Sequence, residues 1–308
     1  MAIRPSRPTS FVFLFLLILI GLGIAGVFAQ DNVETLYDRD SRYYRIIVRD
    51  YLEVNRRILY FSRTRGAQSS MIIDDPDRLA LSYLRTLVAA AAAHEDPQDV
   101  LVLGLGGGAI PKFLKTHYPD INVDVVEIDP EVITVAQEYF SFQPSSNMRV
   151  FAVDGRLYLR EVPKQYDVIF LDAYGSDRIP FHLTTIEFFE LVSRRLKPDG
   201  IVALNLWEAL VNRFYHAILT TMQETFPQLY LFQTPDPQSK IAFATNSTEV
   251  ISENEWIEGA RDFVGNRNIG YDLPGLVDRE YSRITNEEYG EEPLTDDKAP
   301  VDLYRQQP

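Results

Sequence analysis

Apolar residues recur along this chain in short runs separated by longer amphipathic stretches. Val100-Leu101-Val102-Leu103, Val123-Asp124-Val125-Val126, Arg149-Val150-Phe151-Ala152-Val153, Tyr166–Leu171 and Gly200–Leu206 read as strands. A segment ending at His117, then Pro130–Phe140 and Thr185–Leu196, read as the helices between them. Nearly continuous apolar strands suit a parallel sheet covered on both faces. The βαβ rhythm predicts a doubly wound α/β sheet with ligands at the carboxyl ends of its strands.

The flanking regions follow other patterns. Tyr43-Tyr44-Arg45-Ile46-Ile47-Val48 and Arg57-Ile58-Leu59-Tyr60-Phe61 are rich in aromatic and β-branched residues, with Asn55 as a turn between them. They predict a small antiparallel β unit ahead of the main sheet. Asp75-Pro76 offers an N-cap and a first-turn proline, followed by Leu79, Tyr83, Leu84, Leu87, Val88 and Ala91 at helical spacing. That predicts one helix from Pro76 to the stop at Asp96-Pro97, its alanine run Ala89–Ala93 lying close to a neighbour. Downstream, Arg213–Phe226 reads as a helix, Leu229–Phe232 and Lys240–Thr245 as an edge hairpin, and Glu253–Val264 as a last helix. The expected divisions are 1–30, a targeting segment; 31–75, the β unit; 76–265, a Rossmann-like nucleotide-binding catalytic domain; and 266–308, an acidic extension.

The targeting segment rests on Phe11–Ala29, which carries no charge and follows Arg4 and Arg7. Its length suits a helical membrane span, with the N-terminus inside by the charge bias. Val27-Phe28-Ala29 also resembles a cleavage site before Gln30, which would make the body secreted.

Composition narrows the chemistry. Of the 308 residues, 46% are hydrophobic and 24% charged, as in a packed globular body. The formal net charge of -14 argues against nucleic acid, whose phosphates need a basic surface. It suits a small cationic substrate, and it serves solubility equally well. The absence of cysteine removes disulfides, thiolate metal sites and cysteine nucleophiles. His94, His117, His182 and His216 have no metal-ligand spacing, so no metal is expected and each reads as a surface or packing residue. Self-association is left open.

The chemistry concentrates at strand ends. Gly104-Leu105-Gly106-Gly107-Gly108 joins an apolar strand to a helix, where missing side chains let a ligand approach the backbone and the free helix amides. Gly104, Gly106 and Gly108 are therefore cofactor-binding candidates. Gly104-x-Gly106-x-x-Ala109 also fits a dinucleotide fingerprint. An S-adenosyl-type cofactor is preferred for two reasons: no pattern marks a nicotinamide half-site, and Asp154-Gly155 follows the third strand, where an acid can accept from an adenine amino group. Glu127, ending the second strand, can accept from both ribose hydroxyls. As ordinary turn acids, Glu127 and Asp154 would serve the backbone alone. Asp172, ending the fourth strand, is placed to take a proton from a substrate amine, with Tyr174 as a pocket wall. Its plain alternative is a loop aspartate capping a turn.

These residues resemble the spermidine synthase (polyamine aminopropyltransferase) family over about residues 37–250. The resemblance runs through Asp40-Ser41-Arg42-Tyr43-Tyr44, Gln68, the glycine loop, Val126-Glu127-Ile128-Asp129, Asp154-Gly155 and the Asp172 strand end. It implies aminopropyl transfer from decarboxylated S-adenosylmethionine to an amine. By position, Gln68 and Glu127 would touch the nucleoside and Asp154 the adenine, Asp172 would be the acid/base, and Asp177 would hold the substrate amine. Three departures stand out. The family's loop aspartate, which contacts the aminopropyl ammonium, is Gly107 here. Its Tyr-His-Glu sequence is Tyr83-Leu84-Arg85. Its Asp-Ser-Ser-Asp has become Asp172-Ala173-Tyr174-Gly175-Ser176-Asp177, two residues longer. The alternatives on this scaffold are an S-adenosylmethionine-dependent methyltransferase and a membrane-tethered relative without activity.

Overall fold

The computed structural model describes residues 33–62, 66–94, 96–173, 175, 179–209, 212–236, 239–284 and 289–298. A four-stranded antiparallel sheet comes first, made of β1 (Val33–Asp40), β2 (Arg45–Tyr51), β3 (Arg56–Tyr60) and β4 (Ser69–Ile72) in that order. Asn55 makes the turn between β2 and β3 with φ 54, a conformation asparagine tolerates better than most residues. The strand β1 left no apolar trace in the sequence because most of its residues are exposed and several are charged.

The main sheet contains β5 (Asp99–Leu103), β6 (Asn122–Glu127), β7 (Met148–Ala152), β8 (Tyr166–Leu171), β9 (Leu196–Trp207), β10 (Gln228–Gln233), β11 (Ser239–Thr245) and β12 (Arg283–Ile284). Their order is β12-β10-β11-β9-β8-β5-β6-β7. The five from β9 to β7 run parallel, whereas β11 pairs antiparallel with β9, and β10 with β11. The fold is thus α/β with a mixed central sheet behind an antiparallel β unit.

Helices cover both faces: α1 (Ser82–Leu87), α2 (Ala89–Ala92), α3 (Ala109–His117), α4 (Pro130–Tyr139), α5 (Gly155–Glu161), α6 (Ile186–Arg195), α7 (Tyr215–Thr225), α8 (Glu253–Val264) and α9 (Leu273–Glu280). Alternate strand residues face opposite cores. Val100, Val102, Phe170 and Phe243 pack with α2, α3, α8 and α9. Leu101, Leu103, Leu171 and Leu204 pack with α5, α6 and α7. A third core lies between α4 and the antiparallel sheet, through Val132, Val135, Ile46 and Leu59.

The helix expected from Pro76 begins only at Ser82. Residues upstream form turns whose carbonyls are taken by side chains: Lys112 Nζ donates to the Pro76 carbonyl at 2.7 Å, and Arg85 to that of Leu79 at 3.1–3.2 Å. Carbonyls committed to side chains do not seed a helix. The alanines of α2 are fully buried, and α8 lies so close that a Cβ on Gly259 would stand 2.3 Å from the Ala92 carbonyl oxygen. The C-terminal residues join the same body, with α9 packed on α8, β12 paired to β10, and Leu294 buried.

The membrane placement must be corrected. Phe11–Ala29 lies outside the described residues. Among the described residues no helix is long and apolar enough to cross a membrane; α8 has 12 residues and one exposed charged face, where a span needs about 20 apolar residues.

Candidate active site

The antiparallel sheet is fastened over the carboxyl end of β6 by side chains. Ser41 donates to Asp129 Oδ2, Tyr37 to Glu131, and Arg57 Nη1 to the Tyr139 carbonyl at 2.6 Å. Asp129 is also the N-cap of α4, accepting from the Glu131 amide at 3.0 Å. This docking brings Tyr44, stacked on Phe61 with ring centroids 4.3 Å apart, to the edge of a cleft above the parallel strands. Gln68 just before β4, Glu127 ending β6, Asp154 in the β7–α5 turn and Asp172 just after β8 all line that cleft. Its empty space is about 1120 Å³, open mouth included.

The glycine loop explains its own composition. Gly104, Gly106 and Gly108 have φ of 96, 52 and 73, values that favour glycine. A Cβ on Gly104 would stand 2.4 Å from the Asp172 carbonyl oxygen, so β5 and β8 end in close backbone contact. At Gly107 the direction a side chain would take is filled, with Ser69 Oγ at 2.7 Å and the Phe140 ring at 2.9 Å. The departure noted in the sequence is thus also a packing fact.

Glu127 is almost fully buried at the end of β6. Its two carboxylate oxygens accept from the amides of Leu105 and Asp129, each at 3.0 Å. Burial raises its proton affinity and these amides pull it back. A carboxylate oxygen can accept more than one hydrogen bond, and Glu127 borders the cleft. Asp154 caps α5 through the Leu157 amide at 3.0 Å, while His182 Nε2 lies 2.9 Å from its other oxygen. The His182 hydrogen bond holds the Asp154 carboxyl below its usual range. Gly155 follows in the first turn of α5 and also borders the cleft.

Asp172 receives two hydrogen bonds, from Asn205 Nδ2 to Oδ1 at 2.9 Å and from Tyr83 OH to Oδ2 at 3.1 Å. Burial pushes its carboxyl up to about 6, and the two donors act against that rise. Asn205 is in turn set by Ser239 Oγ, which donates to its Oδ1 at 3.1 Å. A carboxyl so placed exchanges a proton near neutral pH, as an acid/base group must. Tyr174 and Asp177, expected at the amine end, lie outside the described residues. Among the described residues no group of three or more histidines and acids is placed to hold a metal.

Three cleft residues escaped the sequence reading. Tyr83 was expected on an apolar helix face and at the family's Tyr-His-Glu position, and Asn205 only as part of a strand; His182 was expected at the surface and is exposed there, but its pairing with Asp154 was not foreseen. Asn205 carried the one usable signal, an amide near the carboxyl end of an otherwise apolar strand.

A family model described as "Spermine/spermidine synthase domain" matches residues 82–253. A polyamine aminopropyltransferase from Vibrio vulnificus is 33% identical over 206 residues, 65% of this chain and 68% of that protein. An eEF1A lysine and N-terminal methyltransferase from Mus musculus is 35% identical over 186 residues, covering 55% of this chain and 26% of that protein. Among solved structures, a probable spermidine synthase from Corynebacterium glutamicum has a TM-score of 0.62 at 21% identity, over 83% of this chain and 99% of that one.

Proposed function

The chain belongs to the spermine/spermidine synthase family, and on that premise we propose that it transfers an aminopropyl group from decarboxylated S-adenosylmethionine to the nitrogen of a small amine. The observation that carries this reading is the carboxyl of Asp172, held by Tyr83 and Asn205 in the cleft that Glu127 and Asp154 share.

The cleft fits such a donor. Glu127, with its lone pairs beside the loop, would hold the ribose hydroxyls, and Asp154 the adenine amino group. Gln68 and the backbone of Gly104, Gly106 and Gly155 would border the nucleoside. The donor when bound supplies a sulfonium leaving group, so no metal is required. The chain adds position and proton removal. Asp172 takes the proton from the incoming ammonium, leaving a nitrogen lone pair free to attack. The desolvation that raises its proton affinity also makes the neutral carboxyl that results a stable one. Asp177 and Tyr174 would face the acceptor amine.

The test is chromatographic. With decarboxylated donor and putrescine, release of methylthioadenosine should depend on the amine. Release independent of every amine offered contradicts the proposal. A second reading, methyl transfer from S-adenosylmethionine, is favoured by the absence of an acid at Gly107 and would show itself by S-adenosylhomocysteine as the product.

A further inference from the structure

We propose that Asp296, in the C-terminal segment, is a positioning residue for the nucleobase, acting through Arg156 and His182 on the carboxylate of Asp154; this rests on reading the cleft as an S-adenosyl site with Asp154 at the adenine.

The contacts form a continuous chain. Arg156 is the second residue of α5. Its Nη1 donates to Asp296 Oδ1 at 2.7 Å and its Nη2 to Asp296 Oδ2, a two-pronged contact across 140 residues of sequence. The same Nη1 donates to the His182 carbonyl at 3.1 Å. The His182 ring in turn places Nε2 2.9 Å from Asp154 Oδ2. Asp296 thus reaches the base-end acid through one guanidinium and one short 3-10 turn, Phe181–Leu183. Asp154, Pro180, His182 and Leu183 border the cleft, whereas Arg156 and Asp296 stand behind it.

An exposed ion pair usually contributes little, but bidentate arginine–carboxylate geometry within a network is the exception. Asp296 sits in such a network. Its Oδ1 also accepts from Thr185 Oγ1 at 2.8 Å, a fully buried residue that caps α6, and its amide donates to Glu187 at 3.1 Å. Two residues earlier, the Leu294 carbonyl accepts from the Ile186 amide at 2.8 Å. The segment is therefore fixed to the start of α6, and it fixes Arg156.

The Arg156 guanidinium lies in the field of three acids: Asp296, Glu187 and Asp154. Among the described residues it donates to Asp296 alone of these. Without the Asp296 charge, the guanidinium is free to turn toward Asp154 and occupy the acceptor that an adenine amino group needs. The His182 carbonyl would lose its donor in the same step. A carboxylate accepts from the amino group of adenine and repels the keto oxygen of its deaminated counterpart. Correct placement of Asp154 therefore shows as a preference between the two bases.

The experiment is calorimetric titration of the full chain with methylthioadenosine and with methylthioinosine, its deaminated counterpart. The unaltered chain should prefer methylthioadenosine by about tenfold or more, the effect of one hydrogen bond to a charged group. Asp296→Asn keeps the size and an acceptor for Thr185. It should weaken methylthioadenosine by about tenfold and leave methylthioinosine within about twofold. Arg156→Lys keeps the charge but loses the two-pronged contact, and should act in the same way. With Asp154→Asn already in place, Asp296→Asn should change neither affinity further. The proposal is overturned if the unaltered chain shows no preference, or if Asp296→Asn leaves the preference intact, whether both affinities hold or both fall alike as in a purely structural loss. It is also overturned if the effect persists without the Asp154 carboxylate. Failure of methylthioadenosine to bind the unaltered chain would remove the S-adenosyl reading itself, and this proposal with it.

Discussion

The Tyr83 hydroxyl donates to Asp172 Oδ2 at 3.1 Å across 89 residues of sequence. The contact joins the helix ahead of the parallel sheet to the end of its fourth strand. It makes the protonation of Asp172 a property of the assembled fold. Tyr83→Phe removes one donor to the carboxylate, which raises the carboxyl further. The acidic limb of the pH–rate profile, expected near pH 6 in the unaltered chain, should move to higher pH with little loss of the high-pH plateau. An unmoved limb would show that the contact does not tune Asp172.

Asp172 also carries a stability signature. Its folded-state pKa, about 6, lies above the ordinary aspartate value of 3.8. For an acid shifted this way, the contribution to stability is present below about pH 4 and is lost as pH rises through about 6. Asp172→Asn should therefore melt at a higher temperature than the unaltered chain at pH 7.5. At pH 4 this advantage should be absent. Equal melting points at pH 7.5 would mean that the carboxylate is not desolvated.

Glu127→Ala should weaken nucleoside binding by about 1.5–3 kcal/mol, the range for hydrogen bonds to a charged group. Titration with methylthioadenosine reads this directly. An unchanged affinity would reduce Glu127 to a brace for the Leu105 and Asp129 amides.

Gly104→Ala meets both a φ of 96 and a carbonyl oxygen 2.4 Å from the new methyl group. A loss of about 2–4 kcal/mol of stability is expected from strain and overpacking together. Urea unfolding measures it, and a loss below 1 kcal/mol would contradict the tight junction of β5 and β8.

Leu294 is buried against α6 and α7, and its backbone bonds the Ile186 amide and the Thr221 hydroxyl. Leu294→Ala should cost about 2–3 kcal/mol. A neutral substitution would show that the C-terminal segment is not anchored there.

Much of this was legible in the sequence because parallel strands announce themselves. Val100–Leu103 and Tyr166–Leu171 are apolar on both faces, and the residues that follow them, Gly104 and Asp172, fall at the cleft by topology alone. The antiparallel hairpin of β10 and β11 was legible as two short apolar runs, although β12 rather than β10 forms the sheet edge. The strand β1 was not, since its residues face solvent. Nor was the start of α1, where side chains of Lys112 and Arg85, distant or just downstream, take the carbonyls of Pro76 and Leu79. The supporting contacts of the site were the least visible part. Tyr83, Asn205 and His182 matter through partners 28 to 89 residues away, and no local periodicity records such distances. Gly107 shows the complementary case, where the sequence revealed a missing acid and only packing showed that Ser69 and Phe140 occupy its direction.

The central claim is tested most directly by mass spectrometry of a single incubation with decarboxylated S-adenosylmethionine and putrescine, run beside Asp172→Asn. The unaltered chain should give an aminopropylated amine and methylthioadenosine in equal amounts. The variant should give neither, with donor affinity within a few-fold. Near-normal turnover by Asp172→Asn, or no aminopropyl product from a chain that binds the donor, would contradict it.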